Sequence, residues 1–321
     1  VKQKDILIGL LLTLLIIALM FAGLFMGSVN ITSFDSNSLY ILWHIRLPRV
    51  LMSVLTGGGL AICGTAYQAI FRNPLSDPYT LGVSSGASLG AALAIVLGLE
   101  GFFLGVGGFA FIFALLTVLI IINIASVGSR IHTTTLLLAG TSINFLISAI
   151  IAILMVVNQH SMERIIFWTL GSLAFSKMSD VVVVAIFVVL AFVLLRFHAK
   201  DLNALLMGSD TAHCLGIDVE RTKKTILLFT TLMIGVIVSY CGVIGFVGLV
   251  VPHIVRLLVG SDNRRIIPFS FLGGAIFMLL ADIASRTLAA PSELPIGAIT
   301  AFVGAPFFIY LLYNAKKKLN L

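Results

Sequence analysis

Residues Ile6–Met26 read ILIGLLLTLLIIALMFAGLFM, 21 positions without a charge. As a helix rising 1.5 Å per residue, such a run crosses a hydrocarbon core of about 30 Å. Phe102–Ile122 is apolar in the same unbroken way. Neither run resembles the strand of an outer-membrane barrel, which alternates every second residue over about ten positions. The composition agrees with these runs. Of 321 residues, 60% are hydrophobic and 10% charged, and the mean hydropathy is +1.15. A soluble domain carries about 25% charged residues, so this chain has too little polar surface to cover a water-soluble core. The same numbers exclude a disordered chain. The expected fold class is therefore all-α, a polytopic membrane protein.

Ten spans are predicted: Ile6–Met26, Val50–Ile70, Gly82–Leu99, Phe103–Ala125, Thr133–Val157, Asp180–His198, Thr225–Tyr240, Ile244–Val259, Pro268–Leu288 and Gly297–Tyr313. Residues 225–259 form one apolar stretch too long for a single crossing, and Gly242, Gly245 and Gly248 mark the expected break. With both termini in the cytoplasm, fifteen of the twenty basic residues lie inside: Lys2, Lys4, Arg72, Arg130, those from Arg196 to Lys224, Arg256, Arg264, Arg265 and Lys316–Lys318. Arg46, Arg49, Arg164, Lys177 and Arg286 are left outside. That asymmetry is the positive-inside rule, and it accounts for the net charge of +7 without nucleic acid. No separate signal peptide is expected, because the first run is too long and no A-x-A-like site ends it. The chain reads as one membrane domain, 1–321. The segments Arg72–Gly82 and Arg286–Gly297 each carry an Arg, prolines and an acid before a helix-opening glycine, the pattern of an inverted repeat.

The chemistry of a self-powered transporter is missing from the sequence. No G-x-x-x-x-G-K-[ST] loop and no H-E-x-x-H occurs, and the six histidines are dispersed. Cys63, Cys214 and Cys241 are scattered, so no metal site or disulfide framework is expected. An ion-coupled carrier holds acids in the membrane. Here only Asp282 lies deep in a span, and Arg286 four residues later can neutralise it. The triplet Gly57-Gly58-Gly59 reads as a site of close helix packing. Either the chain is then a passive channel or its energy comes from a partner. The interior loop 199–224 offers a docking platform, because Leu205, Leu206, Met207, Leu215 and Ile217 are more apolar residues than a linker needs. Its two short helical stretches are separated by Gly208 and Gly216.

RLPRVLMSVLTGGGLAICGTAYQAIFRNPLSDPYTLGVSSGASLGA (Arg46–Ala91) resembles the FecCD-type permeases of bacterial ABC importers. Leu136–Asn144, Gly242–Pro268 and Leu279–Leu312 match the same family in order, so the resemblance runs through nearly the whole chain. It implies a ten-helix permease subunit in the bacterial cytoplasmic membrane, paired with a second permease, identical or related. Two cytoplasmic ATPase subunits, carrying ATP and Mg, and an extracytoplasmic substrate-binding protein would complete the importer. This chain itself would be neither an enzyme nor a cofactor binder.

By the resemblance, Arg46, Arg49 and Arg286 match arginines that dock the binding protein on the outer surface. For Arg46 and Arg49 the plain alternative is anchoring at the membrane interface. Thr141, Ser142 and Asn144 match the cytoplasmic gate region, and the alternative there is packing with hydroxyls bonded to backbone carbonyls. Gly208, Ser209, Asp210, Thr211, Ala212, His213, Cys214, Leu215 and Gly216 match the coupling helices that fit the ATPase. The expected cargo is a metal chelate, with a ferric siderophore preferred because it is common in the family. Haem, cobalamin, and molybdate or tungstate are the alternatives. A secondary carrier acting alone is the reading from another class. Met155, Asn158, His160 and Met162, near the outer end of the fifth span, read as an amphipathic exit from the membrane before a haem site.

Overall fold

A computed structural model describes residues 2–27, 35–101, 105–127, 130–131 and 133–319. The first helix, α1 (Lys2–Phe25), is followed by α2 (Ser36–Tyr40), a π-helical turn (Ile41–Arg46) and α3 (Leu47–Ile70). The last three run on as one helical rod of 35 residues. The wide turn has a local cause. Pro48 has no N–H and its ring crowds the carbonyl of residue 44, so the backbone opens just ahead of it. A 3-10 turn (Pro78–Leu81) leads into α4 (Val83–Val96), and α5 (Gly105–Ala125) follows. Strands β1 (Ser126–Val127) and β2 (Arg130–Ile131) form a minimal antiparallel ladder before α6 (Thr133–Val157). Next come α7 (Gln159–Thr169), α8 (Met178–Phe197), α9 (Ala199–Met207), α10 (Ser209–Cys214), α11 (Val219–Cys241), α12 (Val247–Val259), α13 (Asn263–Thr287) and α14 (Ile296–Leu319).

Seven of the described helices are long and apolar enough to cross a membrane. The third, eighth and tenth expected spans correspond to the shorter apolar helices Val83–Val96, Val247–Val259 and Ile296–Leu311. Several boundaries move. The third span stops at Val96, where Leu97 and Gly98 turn the chain. The seventh begins at Val219 and the ninth at Asn263, each a turn or more earlier than hydropathy placed them. In both, an aspartate caps the helix: Asp218 accepts from the Arg221 N–H and Asp262 from the Arg264 N–H, each at 3.0 Å. The charged first turns hid these starts from a reading based on apolar runs. Phe103, the expected start of the fourth span, lies outside the described residues, as do the side chains of Arg130 and Lys316–Lys318.

The core is built around α3 and α13. A methyl group placed on Gly57 would overlap the Gly274 carbonyl, and one on Gly274 would overlap the Gly57 carbonyl. The two backbones therefore touch, as small residues permit. Gly58 makes room for Phe271, and Gly59 for Ile237 and Val188. Gly64 lies against the Gly248 backbone in the same way, which seats α12 beside α3. At the other extreme, the apolar windows of α1 and α6 are each only 11% buried.

The expected break between the seventh and eighth spans is present. Helix α11 ends at Cys241, Gly242 adopts φ 68°, and α12 starts at Val247. Backbone left without a helical partner would cost several kcal/mol per group in lipid. Neighbouring segments supply partners instead. Ser172 N donates to Cys241 O at 2.9 Å, Gly297 N to Leu170 O at 3.0 Å, and Ile244 N to the Tyr79 hydroxyl at 3.4 Å. The connections after α7 and α11, the first turn of α14 and the Tyr79 hydroxyl thus satisfy one another inside the bundle.

Candidate functional site

Three places carry the chemistry: an ionic clamp at one end of the bundle, a hairpin at the other, and a polar groove between a buried helix and an exposed one.

The clamp corrects the placement expected for the three arginines. Arg46, Arg49 and Arg286 are 5%, 5% and 3% exposed, not presented on the surface. Arg49 Nε donates to Asp282 Oδ1 at 2.7 Å, and its Nη1 lies 2.9 Å from Glu293 Oε2. Arg286 Nη2 is 2.7 Å from Asp282 Oδ2. The Asp282–Arg286 pair read from the sequence is therefore real, but it belongs to a cluster of four. The buried carboxylate needs counter-charge, and two guanidiniums supply it. Arg286 Nη1 also donates to the carbonyls of Gly23 (2.9 Å) and Met26 (3.1 Å), and Arg46 Nη1 to those of Leu24 and Phe25 (both 2.8 Å). These are the last carbonyls of α1, which have no intrahelical donor and form the negative pole of that helix. Two arginines from α13 and the π-turn cap a third helix. At the far end of α1, Asp5 pairs with Arg265. Between its ends α1 packs on α3 and α13 through Ile16, Leu19, Met20 and Leu24.

The hairpin end is made by α9 and α10, with Gly208 between them at φ 127° and Gly216 after them at φ 80°. Residues 219–224 of the expected loop are instead the first turns of α11. The apolar residues divide. Leu205 is buried, Leu206 and Ile217 pack on the core, and only Met207 (73%) and Leu215 (64%) are strongly exposed. Asn203 fastens α9 to α13, donating to Asp262 Oδ1 at 2.7 Å and accepting from Asn263 N at 2.8 Å. The hydrogen bond from Arg264, helped by that from Asn203, holds the Asp262 carboxyl down at about 2. His213 and Asp210 border an open cleft of about 610 Å³ between α10 and the start of α11. The Arg72 guanidinium lies beside Gly208, so the turn after α3 adjoins the hairpin.

The groove of about 440 Å³ runs between α4 and α6. Asn144, Ser148, Ile151 and Met155 occupy one stripe of α6, and Ser84, Ser85 and Ser88 face them from α4. Asn144 Oδ1 accepts from the Ser85 hydroxyl. Close approach makes the groove possible. A methyl on Gly140 would overlap the Thr80 carbonyl, and Gly82, at φ 73°, turns the chain into α4. Of the three expected gate residues, Asn144 alone is among those lining this groove. Thr141 is exposed and donates to the Leu138 carbonyl at 2.9 Å, the packing alternative, and Ser142 is exposed on the same helix. The serines Ser84, Ser85, Ser88 and Ser148 were not singled out from the sequence. Their signal was present as hydroxyls at helical spacing within otherwise apolar runs. Met155 lines the groove, while His160 and Met162 are exposed on α7.

Known proteins place this architecture. The model of the FecCD transport family matches residues 6–314. The chain is similar to a hemin transport system permease protein of Yersinia pestis, with 37% identity over 98% of each chain. It is also similar to a cobalamin import system permease protein of Halobacterium salinarum, with 42% identity over 85% of this chain and 73% of the other. Among solved structures, an inward-facing metal-chelate type ABC transporter superposes with a TM-score of 0.86 and 31% identity, covering 96% of this chain and 99% of that one. With the match spanning nearly all of the sequence and of the fold, the chain belongs to the FecCD transport family, the permeases of ABC importers.

Proposed function

We propose that this chain is the membrane subunit of a binding-protein-dependent ABC importer that moves a metal chelate inward past the α4–α6 groove. The observation that carries this reading is the groove itself. Six of its lining residues bear hydroxyl or amide groups, and none of the described lining residues is charged. Such a stripe is costly against lipid, so it belongs to an aqueous path or a second subunit. Uncharged hydrogen-bonding walls suit a bulky cargo whose metal charge is already shielded by its chelator. A bare oxyanion would call for fixed positive charge from Arg or Lys. Among chelates, haem and cobalamin are favoured over a ferric siderophore, because the similar permeases are named for those two cargoes.

The hairpin end faces the cytoplasm and both termini lie there, which follows the basic asymmetry. The ten apolar helices then cross or enter the membrane, with the shorter three packed among the others. Two ATPase subunits carrying ATP and Mg engage the exposed Met207 and Leu215, and a second copy of the permease covers the groove. The binding protein docks at the clamp end. There it meets the surface that Arg46, Arg49 and Arg286 shape by tying α1, α3 and α13 together, rather than the guanidiniums themselves. The chain itself catalyses no reaction.

The test is elemental. Cells lacking the gene are starved of one metal at a time and resupplied with haem, cobalamin, a ferric siderophore or molybdate, and cell iron, cobalt and molybdenum are measured by mass spectrometry. Loss of haem iron or of cobalamin cobalt alone is the expected outcome. Loss of siderophore iron alone would move the cargo, and loss of molybdenum alone would overturn the chelate reading.

A further inference from the structure

We infer that Arg221 and Lys224 on α11 form a binding site for the phosphate of an anionic phospholipid in the inner leaflet. The two side chains are exposed and three residues apart, so they lie on one helix face about 4.5 Å apart along the axis. The same face continues through Thr225 to Leu228, which is 52% exposed about 10 Å further along, and then to Phe229 and Leu232. A single helix face therefore passes from two cations to bare hydrocarbon within two turns. That is the profile of a phospholipid, headgroup first and acyl chain after. The membrane height of this stripe rests on the orientation proposed above.

The local acids do not cancel the pair. Asp218 Oδ1 is committed to the Arg221 backbone N–H at 3.0 Å, and Glu220 Oε1 lies 3.6 Å from Lys223 Nζ. Lys223 points inward and is buried, whereas neither Arg221 nor Lys224 has a carboxylate within ion-pair distance among the described residues. An open cavity of about 490 Å³, lined by Asp218, Glu220, Arg221, Lys224 and Thr225, gives the headgroup room. The helix N-terminus is already capped by Asp218, so the two side chains supply the attraction.

The test is lipid retention. The permease is reconstituted in nanodiscs of equal phosphatidylglycerol and phosphatidylcholine, released into mild detergent, and analysed by native mass spectrometry. Wild type should retain phosphatidylglycerol over phosphatidylcholine, on the order of ten-fold for two interfacial cations. The Arg221→Gln/Lys224→Gln variant should lose that preference, and the charge-preserving Arg221→Lys/Lys224→Arg variant should keep it, with thermal unfolding of all three unchanged. Equal preference in wild type and the neutral variant would overturn the site. So would unchanged lipid retention together with lost ATPase co-purification in lipid-free detergent, because the pair would then be a protein contact. Failure of the membrane placement would look different, as recovery of wild-type chain without any bound phospholipid.

Discussion

At the scale of single residues, the clamp shows how a buried charge is made tolerable. Asp282 is fully buried and ion-paired with two arginines, while Glu293, about one third exposed, pairs with Arg49. Removing one member of a buried pair leaves the others desolvated and unpaired, at a cost of about 3–5 kcal/mol. A partly exposed partner contributes about 1 kcal/mol or less. Asp282→Ala should therefore lower the thermal midpoint of the detergent-solubilised permease far more than Glu293→Gln. Equal effects would mean that Asp282 is not the centre of the cluster. Sequence reading found the Asp282–Arg286 pair because a helix brings residues four apart together. It could not find Arg49 or Glu293. Arg49 comes from a helix more than 230 positions away, and Glu293 from the connection after α13, where no helical spacing operates.

At the scale of elements, the decisive contacts are between backbones. Gly57 and Gly274 let α3 and α13 touch, and any side chain at either position meets a carbonyl rather than a flexible neighbour. Gly57→Leu should separate the helices and cost at least the roughly 1–3 kcal/mol typical of overpacking, read as lost folded yield after membrane extraction. Gly245→Ala, where an added methyl meets nothing within 4 Å, should leave yield unchanged. A tolerated Gly57→Leu would show that the two helices have slack. The glycine triplet pointed to close packing from sequence, yet not to which helix it packs against. The starts of α11 and α13 were misplaced for a related reason. Hydropathy registers the apolar part of a helix, whereas Asp218 and Asp262 begin each helix on polar ground.

At the scale of the whole molecule, the two ends are specialised. The hairpin is pinned to the bundle through Asn203 and Asp262, so a load on α9 reaches α13. Met207 and Leu215 are the apolar groups it leaves exposed. Met207→Asp with Leu215→Asp should abolish co-purification with the ATPase while leaving the permease folded, since neither side chain supports the core. Retained association and uptake would remove the hairpin from the coupling role. Leu205→Asp should instead fail to fold, because Leu205 is in the core.

The sequence alone determined that the chain is helical and membrane-embedded, and where its apolar segments lie. Those properties follow from hydrophobicity and periodicity, which are local and written residue by residue. The tertiary structure decided what the charged and polar groups do. It turned three arginines expected at the surface into a clamp, split five loop hydrophobes into core and exposed sets, and joined Ser85 to Asn144 across a groove. The physical reason is that the worth of a polar group in a low-dielectric interior depends on its partner, and here the partners come from elements distant in sequence.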